Sequence, residues 1–414
     1  MRIGTVFSGI GAAEQALKRL GIPHEIMFAC DNGDVELNLL ENEELAEYKR
    51  LVKLRSKKIL KDKKDIDKLN RLSQKELAIV ESIRQKIRTL KSKELKKQFV
   101  DELYRTRTRQ KNFVRESYLA NYPLNPSDFH WDIRFLDGRD YRGKLDLLVG
   151  GSPCQSFSSV GAKGGLSDTR GTLFYEFARI VQESQPRVFI YENVRGLLTH
   201  DDGKTWDVMR RVFEKDLNYR IADPQILNAS DYGIPQSRRR LFVIGIRKDI
   251  KSNNFIYPPA IALKYSMQDF LENQCAAGYF SYNKKTGKLI IKKRKGSPDK
   301  KFILTPAVQR YVLAGGTGTF KTSTQTDLPI ARTLMKMMTQ HHRAGVDNYI
   351  TVQKKPLVLR QLSDREALRL MGFPDDFKMA VSSMQVLRQA GNSIVVDVMM
   401  AIIQQIIKTN ALEV

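Results

Sequence analysis

Short apolar runs alternate with helix-period segments along most of the chain. Such runs begin at Ile3, Leu145 and Val188, and each gives way to glycine or polar residues after a few positions. Their length and composition are typical of strands that are buried on both faces. Apolar residues at helical spacing follow the first run as far as Leu20. Strands alternating with helices predict an α/β fold whose first strands are parallel.

The first strand leads into a glycine turn that favours nucleotide binding. Ile3–Phe7 is followed by Ser8–Glu14, and the backbone amides of such a turn allow a ligand to approach closely. Asp31 ends the next strand about twenty residues later, where a carboxylate can accept from two ribose hydroxyls. Glu14 stands where the dinucleotide fingerprint has its third glycine, so the sequence disfavours nicotinamide and favours an adenosine cofactor without a pyrophosphate.

Cys154 lies in a loop directly after the apolar run 145–149, in the sequence GGSPCQSFS. Gly and Pro end a strand, and open α/β sheets bind ligands at the carboxyl ends of their strands. A thiol in that position predicts a nucleophile, although a lone cysteine is more often a buried structural residue. The glycine-rich stretch 160–171 is too long for a tight connection and predicts a mobile lid.

Three further groups of polar residues adjoin predicted strands. Glu192 follows an apolar run, and low polarity in the crevice would raise its pKa and let it hold a proton. Asp132 could accept from an adenine amino group while Ile133 packs on the ring, or it could be a plain turn carboxylate. The arginines of 238–240 precede an apolar strand and suit fork-like contacts with a phosphate or a base carbonyl; a surface salt-bridge cluster is the alternative.

The charge balance favours a polyanionic partner. Seventy Lys and Arg against 46 Asp and Glu give a net charge of +24, although a merely soluble basic protein has the same signature. The segment from about 41 to 115 contains neither Gly nor Pro and has about ten more basic than acidic residues. It predicts an inserted pair of long helices, here called the helical insertion. A basic arm along nucleic acid and a solvated hairpin are equally good interpretations of it.

The cysteines and histidines predict neither a disulfide framework nor a metal site. Cys30, Cys154 and Cys275 are odd in number and far apart, which favours a reducing cytoplasm. His341 and His342 have no acidic or cysteine partners at ligand spacing. No apolar run in the sequence predicts a membrane span.

Seven motifs, in this order, resemble those of the DNA (cytosine-5) methyltransferases of bacteria and phages. They are Phe7–Gly11, Pro153–Gln155, Gly171–Phe174, Glu192–Val194, Gln236–Arg240, Arg332–Leu334 and Gly391–Val395. Each motif alone is common, but the ordered set is specific. The resemblance covers residues 1–40, about 129–250 and about 330–408, and it does not include the helical insertion.

The resemblance implies a Rossmann-like S-adenosylmethionine-dependent methyltransferase core, with a doubly wound mixed sheet and helices on both faces, and a small β-rich target-recognition domain. We expect the catalytic core in residues 1–250, with the helical insertion inside it, and the target-recognition domain in 251–329. Residues 330–414 would return to the core. Basic and aromatic residues interleave in a predicted hairpin over 279–296, which suits phosphate contact; a β subdomain that merely packs on the core is the alternative.

The resemblance also implies a reaction. Cys154 would attack carbon 6 of a cytosine flipped out of double-stranded DNA, while Glu192 protonates or hydrogen-bonds ring nitrogen 3. Carbon 5 would then take a methyl group from S-adenosylmethionine, with S-adenosylhomocysteine as the product. Arg240, together with Arg238, would hold the base carbonyl or a flanking phosphate, and Gln155 is placed with the catalytic residues.

By the same resemblance, eleven residues would bind the cofactor. They are Phe7, Gly9, Ile10, Gly11, Asp31, Asp132, Ile133, Pro153, Leu173, Asn392 and Ser393. The chain departs from many relatives at Asn32, where they carry an aromatic residue that stacks on adenine. Part of the adenine face must therefore be covered by another group, for which Ile133 is a candidate.

We expect a monomeric cytoplasmic enzyme that associates with the nucleoid through double-stranded DNA and needs neither a metal nor a membrane. It would belong to a restriction-modification system or be a solitary or phage methylase. An RNA cytosine-5 methyltransferase of the same fold is one alternative, against which the basic recognition segment argues. A non-catalytic DNA-binding protein on this scaffold is another, and the intact Cys154, Glu192 and Arg240 argue against it.

Overall fold

The computed structural model describes residues 1–57, 59–152, 173–317, 320–338 and 342–412. The strands in these residues are β1 (Arg2–Val6), β2 (Glu25–Cys30), β3 (Phe129–His130), β4 (Leu147–Gly150), β5 (Val188–Val194), β6 (Tyr219–Ile221), β7 (Gln225–Asn228), β8 (Gln236–Ser237), β9 (Arg239–Arg247), β10 (Phe280–Tyr282), β11 (Leu289–Ile291), β12 (Gly316–Thr317), β13 (Phe320–Lys321), β14 (Ala331–Arg332), β15 (Tyr349–Lys354) and β16 (Leu357–Gln361). The helices are α1 (Ala12–Leu20), α2 (Asn42–Ser56), α3 (Lys63–Thr89), α4 (Lys93–Arg107), α5 (Phe113–Asn121), α6 (Leu173–Ser184), α7 (Lys204–Arg211), α8 (Pro306–Leu313), α9 (Asp364–Arg369), α10 (Ser383–Asn392) and α11 (Val396–Lys408).

Eight strands form one mixed sheet in the order β3-β2-β1-β4-β5-β9-β6, with β7 also paired to β9. The strands from β3 to β5 in this order are parallel. Strand β9 is antiparallel to β5, β6 and β7. The carboxyl ends of the five parallel strands therefore meet at one edge of the sheet.

Both faces of this sheet are buried, which explains why its strands are almost continuously apolar. Leu147 and Val149 point into one core cluster, which includes residues of α1 and α11. Leu148, between them, points into the other cluster with residues of α6 and α7. Successive side chains of a strand alternate between the faces. The sheet is thus covered by helices on both sides, and the predicted Rossmann-like methyltransferase fold is confirmed.

The helical insertion contains three helices, α2, α3 and α4, where the sequence analysis predicted two. Asp62 and Ser92 begin α3 and α4, and their side chains accept hydrogen bonds from the backbone N–H groups of Lys64 and Leu95. A side chain that caps a helix favours a new start at that position. The helical spacing of the apolar residues alone predicts one continuous helix here. The break before Ser92 divides it into α3 and α4.

The C-terminal residues form two helices. Asn392 ends α10, and the final helix α11 begins at Val396. The stretch Ser383–Lys408 is long and apolar enough to cross a bilayer by composition, contrary to the expectation that no such run exists. It comprises both helices, and most of it is buried inside the protein.

The segment 251–329 contains the predicted hairpin. Strands β10 and β11 pair antiparallel, and Gly287 in the turn has a positive φ of 69°. Phe270 and Phe280 of this segment belong to the main core cluster. A separate small cluster joins α8 to the β15–β16 hairpin, so packing continues across position 329. The division into domains stays a prediction.

Arg19 of α1 joins three distant parts of the chain. Its side chain is fully buried and donates to the carbonyl oxygens of Gly287 and Gly372 at 2.7–3.1 Å. It also donates to both carboxylate oxygens of Asp397 in α11, at 2.7 and 2.9 Å. A buried charge needs such complete pairing, and the removal of one partner leaves the others unsatisfied.

We predict that Arg19→Met lowers the free energy of unfolding by about 3–5 kcal/mol, because Asp397 and two carbonyl groups lose their partner. Its neighbour Lys18 makes an exposed ion pair with Asp376. Lys18→Met is the matched control and should cost about 1 kcal/mol or less. Equal losses for the two variants in urea denaturation would contradict this assignment.

Candidate active site

Polar residues follow each of the five parallel strands at the edge where those strands end. Strand β1 leads to the glycine turn, β2 to Asp31 and β3 to Asp132; β4 leads toward Cys154, and β5 contains Glu192. The backbone N–H of Asp31 donates to the His130 carbonyl oxygen at 3.1 Å, so the ends of β2 and β3 are in contact. The structure thus brings most of the predicted site segments to one edge.

The glycine turn after β1 is held by Asp31 and by Tyr122, the residue that follows α5. The N–H of Gly9 donates to Asp31 Oδ2 at 2.9 Å. The Tyr122 hydroxyl donates to the carbonyl oxygen of Gly11 at 2.7 Å. Gly11 has a φ of 78°, and a Cβ atom there would lie 2.2 Å from the Tyr122 ring. Only glycine therefore fits between the turn and α5 at this position.

Asp31 keeps free acceptor positions. Gly9 N–H donates to one of its carboxylate oxygens, and Gly33 N–H donates to the other at 2.7 Å. A carboxylate has about four acceptor positions, so two remain for donors such as a pair of ribose hydroxyls. Burial raises the pKa of Asp31 above its usual range, although the two amides act in the opposite direction.

Asp132 is occupied by protein groups. Its carboxylate accepts from the backbone N–H of Arg134 at 2.9 Å, from the Arg134 guanidinium at 2.8–3.2 Å and from the Tyr104 hydroxyl at 2.9 Å. Burial acts to raise the pKa of Asp132, but the Arg134 charge and these hydrogen bonds outweigh it and lower that pKa. The backbone N, Nε and Nη2 of Arg134 and the Tyr104 hydroxyl are four donors, and they fill the roughly four acceptor positions of the carboxylate. An adenine amino group would be a fifth donor, so this geometry argues against the predicted contact with adenine.

The end of β4 lies against the end of β5. A Cβ atom at Gly151 would lie 2.5 Å from the Glu192 carbonyl oxygen, so glycine permits this approach. The Ser152 hydroxyl is 2.6 Å from that of Tyr191, and the Asn193 amide donates to the Ser152 carbonyl oxygen at 2.8 Å. The chain is therefore fixed beside Glu192 as far as Ser152. Pro153, Cys154, Gln155 and the predicted lid lie outside the described residues.

Glu192 forms an ion pair with Arg240. Strand β9 pairs with β5 so that Arg240 is opposite Val194, which places Arg240 diagonal to Glu192 on the same face, within reach of a long side chain. Arg240 Nε is 3.1 Å from Glu192 Oε1, and the two side chains are 20% and 15% exposed. A carboxyl and a guanidinium are thus presented together, each partly accessible.

Burial raises the pKa of the Glu192 carboxyl, and the positive charges of Arg240 and Arg238 oppose that rise without cancelling it. A carboxyl group with a raised pKa holds its proton closer to neutral pH and can act as a general acid. The position of Glu192 after an apolar run predicts this raised pKa from the sequence alone.

Arg238 has a different position from the one predicted. Its side chain is buried, and its guanidinium donates to the carbonyl oxygens of Leu334, Gly391 and Ser393 at 2.7–3.1 Å. Burial, followed by repulsion from Arg240, lowers the pKa of Arg238 to about 9. The expected contact with a base or a phosphate is replaced by contacts that hold the C-terminal segment onto the sheet.

The remaining predicted cofactor residues surround the same edge. Ile10 and Ile133 are buried in the two core clusters, and Phe7 and Leu173 pack against one of them. Asn392 is exposed at the end of α10. The Ser393 side chain is buried, and its carbonyl oxygen accepts from Arg238. Arg238 therefore connects the Gly391–Val395 motif to the start of strand β9, which carries Arg240.

Sequence reasoning missed the residues that hold these groups in place. Tyr191 and Asn193 fix Ser152; Asn193 belongs to the Glu192–Val194 motif but had no assigned role, and the signal for Tyr191 is that it precedes Glu192. Tyr104 and Arg134 fix Asp132; Tyr104 lies in the helical insertion, far from any motif, so no signal pointed to it. No cluster of three or more His, Cys, Asp or Glu residues suited to a metal occurs in the described part of the chain.

Comparison with known proteins gives a consistent result. The family model for C-5 cytosine-specific DNA methylases matches residues 107–408. The chain is 35% identical over 306 residues to the type II methyltransferase M.SsoII of Shigella sonnei, covering 72% of each chain. It is 34% identical over 293 residues to the type II methyltransferase M.HhaI of Haemophilus parahaemolyticus, covering 69% of this chain and 82% of the relative.

The fold has solved counterparts as well. The crystal structure of the S. pombe Dnmt2 methyltransferase superimposes with a TM-score of 0.57 and 16% identity over 97% of each chain. At that identity the similarity supports the fold alone.

We predict that Glu192→Gln changes thermal stability in a pH-dependent way. Because the folded-state pKa of Glu192 is raised, its contribution to stability is fully present below the unfolded-state pKa, about 4.3, and is lost as pH rises through the folded value. The melting temperature of the variant should therefore rise relative to wild type between pH 5 and pH 8. The exposed Glu25→Gln is the control, and a pH-independent difference for Glu192→Gln would contradict the raised pKa.

Proposed function

The chain belongs to the C-5 cytosine-specific DNA methylase family and is a DNA (cytosine-5) methyltransferase, and we propose that it acts through a covalent Cys154 adduct on a cytosine flipped out of double-stranded DNA. Its substrate would be one short sequence, and S-adenosylmethionine would be the methyl donor.

The observation that carries this proposal is the Glu192–Arg240 pair beside the start of the Cys154 loop. Carbon 5 of cytosine is too poor a nucleophile to take a methyl group unless the ring is first activated by covalent addition. Activation needs a nucleophile at carbon 6 and a proton donor at nitrogen 3. Glu192 has the raised pKa that a donor needs, and Ser152, two positions before Cys154, is fixed to the same strand as Glu192.

In the first step a bond forms between Cys154 Sγ and carbon 6, and the electron pair of the 5,6 double bond moves to carbon 5. Glu192 gives its proton to nitrogen 3 or shares it in a hydrogen bond, so that negative charge does not accumulate on the ring. After carbon 5 is methylated, a base removes its proton, and the Cys154–carbon 6 bond breaks to restore the ring. Cys154 leaves as the thiolate that attacked, and nitrogen 3 returns its proton to Glu192.

Arg240 would orient the base and stabilise the developing charge. Its guanidinium is partly exposed, with Nε facing Glu192 and Nη1 donating to the Arg239 carbonyl oxygen, which leaves further N–H groups for the carbonyl oxygen of cytosine. Arg238 would act indirectly, since its N–H groups donate to backbone carbonyl oxygens.

The described residues fit S-adenosylmethionine at the adjoining strand ends. When bound, this cofactor supplies the methyl group that carbon 5 accepts. Asp31 has acceptor positions left for two ribose hydroxyls, and a Cβ atom at Gly9 would meet nothing within 4 Å, so there is room for a ligand at the turn. Phe7, Ile10, Ile133, Leu173 and Asn392 would line the pocket, while Asp132 would form its wall.

The proposed partner and cellular setting rest on the charge of the chain and on its similarity to type II methyltransferases. A net charge of +24 suits a protein that neutralises many phosphates, and base flipping would give the active site access to a stacked cytosine. We place the enzyme in the cytoplasm as a monomer associated with the nucleoid. It would be the modification enzyme of a restriction-modification system or a solitary or phage enzyme.

We predict that Cys154→Ser lowers methyl transfer to plasmid DNA at least a thousandfold, because an alcohol is a far poorer nucleophile than a thiolate. Transfer of tritiated methyl groups measures it, and Cys275→Ala, which alters a buried cysteine distant in sequence, is the control. DNA with 5-fluorocytosine at the target should trap wild type, since fluorine cannot leave as a proton, and should not trap Cys154→Ser. Turnover within tenfold of wild type in Cys154→Ser would refute the covalent mechanism.

A further inference from the structure

The helical insertion is one excursion of the chain between two neighbouring strands. The chain passes Asp31 at the end of β2, forms α2, α3 and α4, and returns through α5 to β3 and Asp132. The ends of β2 and β3 are hydrogen-bonded to each other. Both ends of the insertion therefore adjoin the edge assigned above to the cofactor.

Ion pairs also fix the insertion to the core. Lys96 Nζ lies 2.8 Å from Asp137 and 2.6 Å from Asp140, and its side chain is mostly buried. Three further basic residues of the insertion pair with acidic residues of the core: Arg84 with Glu176, Arg88 with Glu183 and Lys93 with Asp128. Part of the positive excess of the insertion is thus used to hold it in place.

Tyr104 of α4 reaches the end of β3. Its side chain is 1% exposed, and its hydroxyl donates to Asp132 Oδ2 at 2.9 Å. Its ring lies 4.7 Å from that of Trp131, and both belong to the small cluster that also contains Phe135 and Val35. Arg134 holds the Asp132 carboxylate from the other side. The insertion thereby fixes the position of Asp132 and of the backbone around it.

Asn112 makes the corresponding contact at the end of β2. Its side-chain amide donates to the backbone carbonyl oxygen of Asp31 at 2.7 Å. Its Oδ1 accepts from the backbone N–H of Arg115 and so caps α5. One side chain therefore ties the start of α5 to the residue whose carboxylate holds the glycine turn.

We propose that the helical insertion forms a wall of the cofactor site and that Tyr104 and Asn112 are positioning residues for S-adenosylmethionine. Tyr104 acts on Asp132, and Asn112 acts on Asp31, so the insertion replaces part of the adenine-side structure that Asn32 does not provide. Tyr104 lies outside the residues that the family model matches. This inference rests on the proposed function, because it takes the strand ends at Asp31 and Asp132 as the cofactor edge.

The test is calorimetric titration of the full chain with S-adenosylhomocysteine, together with steady-state methylation. Tyr104→Phe removes one hydroxyl and should weaken binding about tenfold. It should raise the KM for S-adenosylmethionine similarly, while kcat stays within twofold of wild type. Asn112→Ser keeps a capping oxygen and loses the amide donor. If Tyr104→Phe does not fold, this second variant should show the same weaker binding and raised KM, with kcat within twofold of wild type. Ser92→Ala removes the cap at the other end of α4 and is the control for a general loss of helix stability.

Weakened binding in Tyr104→Phe or Asn112→Ser, with Ser92→Ala unchanged, supports the proposal. Wild-type affinity in both positioning variants overturns it. An equal loss in Ser92→Ala overturns it too, because any weakening of α4 would then suffice. Failure of wild type itself to bind S-adenosylhomocysteine would instead refute the cofactor assignment of the proposed function.

Discussion

Five parallel strands that end at one edge of the sheet impose the constraint on which the site depends. Helices cover both faces of the sheet, so polar residues of these strands can reach water only where the strands end. In this chain those ends carry a glycine turn, two aspartates, the start of the cysteine loop and Glu192. Backbone hydrogen bonds between neighbouring strands then set the spacing of chemical groups that are far apart in sequence.

Within this edge the electrostatic balance at Glu192 decides what the site can do. Burial favours the protonated carboxyl, and the two arginines favour the carboxylate; burial has the larger effect. The paired strand β9 supplies Arg240, and the buried Arg238 carries a second positive charge close by while it holds the C-terminal segment. Strand β9 and the residue before it therefore shift the pKa of Glu192 and join the C-terminal segment to the sheet.

Much of this was predictable because it depends on local patterns. Apolar runs of strand length gave the alternating order of strands and helices, and Gly150 and Gly151 gave the end of β4. Glu192 was predictable because its strand ends in a carboxylate. The break that separates α3 from α4 was readable in principle from Ser92, a capping residue inside a helical pattern.

Other features depend on contacts that sequence order does not encode. Arg238 and Arg240 look alike in sequence, yet the C-terminal segment buries Arg238, which precedes β9, and leaves Arg240 partly accessible. Asp132 was expected to be open to a ligand, but Tyr104 and Arg134 fill its acceptor positions. The insertion was predicted to be either a basic arm or a solvated hairpin, because the partners in its ion pairs with the core lie far along the chain.

The most direct test of the central claim is bisulfite sequencing of a plasmid incubated with the purified protein and S-adenosylmethionine. The account predicts cytosines protected from conversion in one short recurring sequence, and no protection when Cys154→Ser replaces the wild-type protein. A plasmid without protected cytosines, under conditions where binding of the cofactor is confirmed separately, would contradict it.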